Sequence, residues 1–368
     1  MKHVAYMIPT IDRMGGAERQ VLLLAEGMAR RAWRVTVVAL SGGGGEQAAE
    51  LRQDGVGFVT LRMRKGWADP RGWMHLRRWL RAERPGVLHA HLPHAAWMAR
   101  WSRVLTPGPA VIDTIHTTAT GTAGRRWGYR LSGWLSDMTT AVSSDAGEAW
   151  RVADMVAAEK LITIPNGLDT GRWRPDAAVR ARARAEAGIG EQFLWLAVGR
   201  LEAVKDYATL LRGFSRMVSG SLLAIAGAGA MEAELRALAT ELGLNERVRF
   251  LGFVPDTLRW MQAADGYVLT SRWEGLPMSV LEAAACGLPI VATDVPGTRG
   301  LFEEGLDGLR VKSGDAESLA ESMRSVEAMP SGERARMGAA ARQHVEARYE
   351  LEHVLRRWEM LYEQLRRD

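Results

Sequence analysis

The sequence is poorest in cysteine. One residue, Cys286, occurs in 368, so no disulfide can form within the chain, which fits a reducing compartment. Cys286 stands before Gly287 and Pro289, where a helix is expected to end, and has no base beside it in sequence. It reads as a packing residue rather than a nucleophile. Long apolar runs are missing too, for none approaches the roughly 20 residues that span a bilayer. Residues 1–8 lack the apolar core of a signal peptide and run directly into Thr10, Asp12 and Arg13, so the expected location is cytoplasmic. No Asp-x-Asp pair of the kind that holds a divalent ion is present. Three histidines crowd residues 89–94, but no acid stands among them and Pro93 occupies a place where one is wanted, so a metal site is not expected.

What is there is enough for two domains. A chain of 368 residues with 47% hydrophobic and 25% charged side chains exceeds what a single core usually grows to. The charge is uneven. Residues 1–165 carry 22 Lys and Arg against 14 Asp and Glu, and the remainder 26 against 29. Within residues 62–103 the ratio reaches ten to two, interleaved with Trp67, Trp73, Trp79, Trp97 and Trp101. Cations mixed with tryptophan suit an anionic membrane surface, where the ring sits at headgroup level. A core of tryptophans under a solvated arginine face explains the same composition. Nucleic acid is not an expected partner, because no nucleic-acid-binding motif accompanies the charge.

Strand and helix patterns alternate along the chain. Residues 2–8 read as a strand, followed by Gly15-Gly16 and a helix over 17–30. Further strands are expected at 35–40, 87–89, 111–115, 139–142 and 161–164, with the run Ser41 to Gly45 as a flexible turn. Asn166-Gly167 marks a strong turn, and residues 166–191 read as an interdomain segment. The rhythm then restarts with strands at 193–198, 222–226, 248–251, 266–269, 290–293 and 309–311, and helices at 207–217 and 231–242. Three helical patterns without intervening strands close the chain, the last amphipathic through Val354, Leu355, Trp358, Leu361, Tyr362 and Leu365. The fold class expected is α/β, with two doubly wound, Rossmann-like domains facing a cleft: 1–165, 192–348, and a C-terminal helix at 349–368 that either crosses back to the first domain or lies on its own.

The most informative stretch is Trp273 to Glu282. Gly275 lets a backbone come close to a ligand, and Pro277 suits the first position of a helix that starts near Leu276. Free N–H groups at such an end favour a phosphate. Glu274 before the junction and Glu282 after it can grip different hydroxyl groups of one ligand, which is a shape for a nucleotide sugar. Arg200 and Lys205 follow a strand and can neutralise a diphosphate. His116 ends another strand, where open parallel sheets place ligands.

Gly15-Gly16, Arg200 with Lys205, Gly227-Ala228-Gly229 and the Glu274 to Glu282 segment together resemble the retaining glycosyltransferases of family 4, whose two-domain arrangement is called GT-B. The resemblance covers essentially the whole chain, and its most specific element is the glutamate pair. It implies a nucleotide-diphosphate sugar donor, UDP- or GDP-linked, bound mainly by the second domain. The acceptor, a glycan or lipid-linked saccharide, is held mainly by the first, with no metal cofactor. It also implies that Glu282 holds the ribose and Glu274 the transferred sugar, that Gly275, Leu276 and Pro277 line the donor pocket, that the base lies near Arg249 to Gly252, and that His116 stands at the reaction centre. Charge growing on the leaving phosphate is the physical reason for Arg200 and Lys205. A sugar-nucleotide 2-epimerase of the same architecture and a non-catalytic nucleotide-sugar binder remain open. A Rossmann dehydrogenase is disfavoured, because Glu232 stands where a third glycine belongs.

Overall fold

A computed structural model describes residues 2–12, 15–64, 69–106, 108–217 and 220–367. The chain divides into two compact units, Met1–Gly167 together with Leu351–Asp368, and Leu168–Glu350.

In the first unit β1 (His3–Ile8), β2 (Arg34–Ala39), β3 (Gly57–Thr60), β4 (Val87–His91), β5 (Ala110–Ile115), β6 (Met138–Ala141) and β7 (Leu161–Thr163) form one sheet. Their order is β3-β2-β1-β4-β5-β6-β7, and every pairing is parallel. A parallel sheet is covered on both faces, so its central strands are apolar throughout rather than alternating; Val4 to Ile8 of β1 are all fully buried. The strand order reverses between β1 and β4, which puts the first unit's switch point at the ends of those two strands.

One face of this sheet is covered by the helices Gly16–Arg30 and Leu351–Leu365. The amphipathic C-terminal helix therefore belongs to the first unit, where Val354, Leu355, Trp358 and Tyr362 complete the core. Gly27 admits it closely: a Cβ there would stand 2.5 Å from Leu355 Cδ1. At the rim, Arg31 pairs with Glu352 and Glu359, and the Trp33 indole N–H donates to Glu359. The opposite face carries the helices Pro70–Glu83, Pro93–Leu105, Ala123–Ser132 and Ser144–Val152.

The sequence pattern places a helix through Trp127, Tyr129, Arg130 and Trp134, which matches Ala123–Ser132, but it passes over the other three of these helices and also β3. The first helix does carry a start signal, since the Asp69 carboxylate accepts from the N–H of Arg71 while Pro70 takes the first helical position. Gly44 and Gly45 do more than turn the chain, because the helix Gly45–Gln53 begins there.

In the second unit β8 (Leu194–Val198), β9 (Leu222–Ala226), β10 (Val248–Gly252), β11 (Gly266–Leu269), β12 (Ile290–Thr293) and β13 (Gly308–Val311) form a sheet in the order β10-β9-β8-β11-β12-β13. All pairings are again parallel, and the order reverses between β8 and β11.

The expected interdomain segment 166–191 falls from Leu168 onward within the second unit, and the helix expected in it at 177–187 is present. That helix, Ala177–Glu186, packs on Leu258–Ala263 within the second unit. Arg180 donates to the carbonyls of Ala263 and Ala264, and Arg184 pairs with Asp265. The second unit also extends past the expected residue 348, since Leu168 and Glu350 form a β-bridge and the Thr170 hydroxyl donates to the Glu350 carboxylate.

Candidate active site

The second unit's switch point gathers two loops, one after β8 and one after β11. Short backbone and side-chain bonds tie them together. The Thr270 hydroxyl donates to the Lys205 carbonyl at 2.9 Å, and the Arg272 N–H to the Val204 carbonyl at 2.8 Å. Asp206 caps the helix Tyr207–Ser215 and also meets Arg272 at 3.2 Å. Lys205 is thereby held so that its Nζ lies 2.6 Å from Glu274 Oε1, with both side chains mostly buried. The Ser271 hydroxyl donates to the same oxygen at 2.6 Å. The Glu274 backbone is pinned in turn: its N–H donates to the Pro296 carbonyl, and a Cβ on Gly297 would stand 2.5 Å from its carbonyl oxygen.

Arg200 takes another direction. Its guanidinium pairs with Glu202 on the same turn at 2.6 Å, and its side chain is 71% exposed. The two cations that the sequence grouped thus have different partners, one mostly buried and one in solvent.

The glycines nearby answer to packing. A Cβ on Gly227 would fall 1.9 Å from the Gly199 carbonyl oxygen, and one on Gly229 would fall 2.4 Å from that of Leu201. The loop after β9 therefore lies directly on the loop that carries Arg200 and Lys205. Gly252 has φ +68, which favours glycine, and its carbonyl accepts from the Gly227 N–H at 2.8 Å. The Arg249 guanidinium, close to where the base was expected, donates to the Ala187 carbonyl.

The helix after the motif runs Met278–Ala285, with Pro277 as its cap at ψ 100 rather than as its first residue. It begins two residues later than expected because Pro277 keeps an extended ψ. Its first turn is moored to the strands: the Tyr267 hydroxyl lies 2.7 Å from Ser279 Oγ and 3.4 Å from the Val198 carbonyl. The first turn of the helix is thus held beside β11 and the end of β8. Leu276 and Glu282 are buried, while Gly275 sits between Glu274 and the helix. Cys286 caps the other end, and burial, reinforced by Glu282, pushes its thiol up to about 12, so it stays protonated and inert.

The first unit holds a second cluster. Gly15 caps the helix Gly16–Arg30, and its N–H donates to the Glu18 carboxylate at 3.1 Å. His116, just past β5, places Nε2 2.9 Å from Nδ1 of His91 at the end of β4. His91 packs ring to ring on His89, with centroids 4.2 Å apart. His89 in turn meets the Tyr362 hydroxyl at 2.7 Å and the Thr114 hydroxyl at 2.6 Å. Burial pushes the His116 imidazole down to about 4, and it lowers those of His89 and His91 as well. All three are neutral near pH 7. Among the described residues no group of three His, Cys, Asp or Glu is arranged to hold a metal ion. The next residue, Leu92, adopts φ 70 and ψ 152, a strained conformation for a branched side chain at the strand-to-helix turn.

Sequence reasoning named His116, Lys205, Glu274 and Glu282 but missed what holds them. Ser271, Asp206 and Gly297 went unassigned, and so did Gln20, whose buried amide makes two bonds to the Gly167 backbone at 2.8 and 3.0 Å. Only Pro296-Gly297 carried a local sign, as a turn dipeptide.

Comparison with known proteins fits this arrangement. The model for "Glycosyl transferases group 1" matches residues 179–344, and the "Glycosyltransferase Family 4" model matches residues 14–172. The chain is 28% identical over 316 residues to a lipopolysaccharide core biosynthesis glycosyltransferase, LpsE, of Rhizobium meliloti, covering 85% of each. It is 26% identical over 267 residues to the UDP-Gal:alpha-D-GlcNAc-diphosphoundecaprenol alpha-1,3-galactosyltransferase of Escherichia coli, covering 68% of each. The crystal structure of Anabaena HepE in complex with UDP superposes with a TM-score of 0.87 at 20% identity, over 99% of this chain and 100% of that one. The two parallel doubly wound units are thus those of a GT-B glycosyltransferase, and the chain belongs to the group 1 glycosyltransferases of family 4.

Proposed function

We propose that this enzyme transfers a sugar from a nucleoside-diphosphate sugar, UDP- or GDP-linked, to a hydroxyl of a lipid-linked glycan, with retention at the anomeric carbon and without a metal ion. The observation that carries the donor assignment is the Lys205–Glu274 pair. Each partner is mostly buried, so a ligand that takes one and strands the other leaves a poorly solvated charge. A diphosphate joined to a sugar satisfies both at once: the pyrophosphate replaces the carboxylate on Lys205, and sugar hydroxyls replace the ammonium on Glu274. Lys205, with Arg200 swinging in from solvent, then meets the charge that grows on the leaving phosphate. The N–H groups at the start of Met278–Ala285 add to that field.

Glu282 is assigned to the ribose diol and the Gly275, Leu276 and Pro277 turn to the donor pocket. His116 is assigned to the reacting sugar, where a neutral imidazole can donate or accept a hydrogen bond without carrying charge. The acceptor assignment rests on the relatives, one named for lipopolysaccharide core synthesis and one for a diphosphoundecaprenol substrate. Binding such an acceptor fits a protein peripheral on the cytoplasmic face of a membrane. No described helix is long and apolar enough to cross one.

A thermal-shift panel of nucleotide sugars tests the donor. A ligand at 100 times its dissociation constant adds about 2.7 kcal/mol of stability, so one sugar nucleotide is expected to raise the melting temperature more than its parent nucleoside diphosphate does. If no nucleotide sugar moves the transition, the reading fails.

A further inference from the structure

The tryptophans that drew attention in the sequence are mostly not surface residues. Trp73, Trp97 and Trp101 meet edge to face at 6.2 Å, half-buried between the helices Pro70–Glu83 and Pro93–Leu105, and Trp67 lies outside the described residues. A different set is exposed. Trp127, Leu131 and Trp134 are 58%, 63% and 68% exposed. They are spaced by four and then three residues along the helix Ala123–Ser132 and the turn Gly133–Leu135, which puts them on one face. The ridge is propped rather than loose. The Arg130 guanidinium sits 5.5 Å over the Trp127 ring while donating to the carbonyls of Ala153 and Asp154, and the Trp134 indole N–H donates to the Leu131 carbonyl.

The helical layer that carries the ridge is cationic. The helices Pro70–Glu83, Pro93–Leu105 and Ala123–Ser132 adjoin one another on a single face of the sheet. Together they carry nine arginines and one acid; Arg100 is buried against Asp113 and Arg103 pairs with Asp137, which leaves seven arginines for the surface, and the acid, Glu83, is engaged by Arg34. Arg71, Arg77, Arg78, Arg81 and Arg125 are exposed on this layer. Met74, Val104 and Leu105 add exposed apolar surface to it, so six of the eleven exposed large apolar side chains among the described residues lie here.

We propose that the ridge Trp127–Leu131–Trp134 is the membrane-contacting edge of the first unit. It inserts at the headgroup level of an anionic bilayer while the neighbouring arginines meet lipid phosphates. Aromatic rings at the interface with cations around them match such a surface, and a cationic layer with its one acid already paired selects anionic lipid. The inference deepens the lipid-linked acceptor reading and rests on it for its purpose, but membrane contact can be measured without any sugar.

The test is sedimentation of the full chain with vesicles of equal parts phosphatidylglycerol and phosphatidylcholine, and with phosphatidylcholine alone. The chain is expected to sediment with the anionic vesicles at low salt. It should be released at about 1 M salt, where the screening length falls to about 3 Å. The variant W127S/L131S/W134S is expected to lose at least about tenfold in partitioning while keeping its melting temperature and its thermal shift with the nucleotide sugar. Brominated lipid gives a readout on the unaltered protein and is expected to quench part of its tryptophan fluorescence. Equal vesicle binding by the variant, no vesicle binding by the native chain, or a concentration-dependent dimer that the variant abolishes would each overturn the proposal, the last by giving the ridge to a second copy. A retained nucleotide-sugar shift in any of these cases leaves the donor reading standing, so the two fail separately.

Discussion

Lys205 and Glu274 hold each other 2.6 Å apart where the two switch-point loops of the second unit meet, and this sets how each responds to substitution. Lys205→Ala removes the cation assigned to the leaving phosphate, and turnover is expected to fall by about 100-fold or more, the scale for losing one group that stabilises transition-state charge. Glu274→Gln acts differently. It frees Lys205 from a competing carboxylate, so a nucleoside diphosphate alone is expected to bind about tenfold tighter, roughly 1.4 kcal/mol, while sugar transfer is lost. Calorimetric titration with the free nucleotide against both variants checks the pair. Unchanged nucleotide affinity in Glu274→Gln would mean that the carboxylate does not compete for the lysine. These residue types and their order were readable in the sequence, since Gly275 and Pro277 flag the turn. The ion pair between them was not, because 69 residues separate its members and no local pattern encodes a contact of that span.

At the scale of elements, several close approaches depend on single glycines. The helix Ser331–Tyr349 crosses Met278–Ala285 with its Gly338 against the Gly287 turn, where an added Cβ would stand 1.9 Å from the Gly287 carbonyl oxygen. Arg342 on the same helix donates to the carbonyls of Ala285, Trp173 and Thr170, which fixes the crossing. Gly338→Ala must push the two helices apart and is expected to cost about 2–3 kcal/mol, read as a lower melting temperature and a weaker nucleotide-sugar shift, because the moved helix carries Glu282. Wild-type stability in that variant would show that the crossing yields easily.

The strongly periodic elements were legible, among them β9, β11 and β12, whose bounds the pattern gave without error. Less legible were elements whose faces are mixed. The helix Pro70–Glu83 carries half-buried tryptophans among exposed arginines, which blurs its apolar stripe. The strand β3 is four residues at the sheet edge, only partly buried, so it lacks the apolar run that marks a central strand.

For the whole molecule, the last 18 residues are part of the first unit. A chain ending at Glu350 loses Val354, Leu355, Trp358 and Tyr362 from that core. It is expected to show an early, broadened unfolding step for residues 1–167, with the melting of 168–350 retained; two intact transitions would contradict this.

Stability should also depend on pH through the imidazoles of the first unit. Burial pushes the His116 imidazole down to about 4 in the folded chain, against 6.5 when unfolded, and lowers those of His89 and His91 in the same direction. Between those values the unfolded chain binds more protons, so stability falls as pH drops below about 6.5, by up to ~1.4 kcal/mol per pH unit for each imidazole, and the His116 contribution levels off near pH 4. Chemical denaturation at a series of pH values measures the slope. His89→Gln is expected to reduce it, and a flat profile from pH 7 to 5 would contradict the buried neutral cluster.

The sequence by itself determined the succession of strands other than β3, the division into two α/β units and the chemistry available at residues 200–205 and 274–282, because these depend on periodicity, turn residues and side-chain type, which are local. Tertiary structure alone decided that Lys205 pairs with Glu274 while Arg200 faces solvent, that His116 leans on His91, that the tail completes the first core, and that Trp127 and Trp134 are outside while Trp73 and Trp97 are partly inside. Each of those outcomes turns on which surfaces meet across long spans of chain. Burial and hydrogen bonding settle that only when the whole sheet and its covering helices are in place.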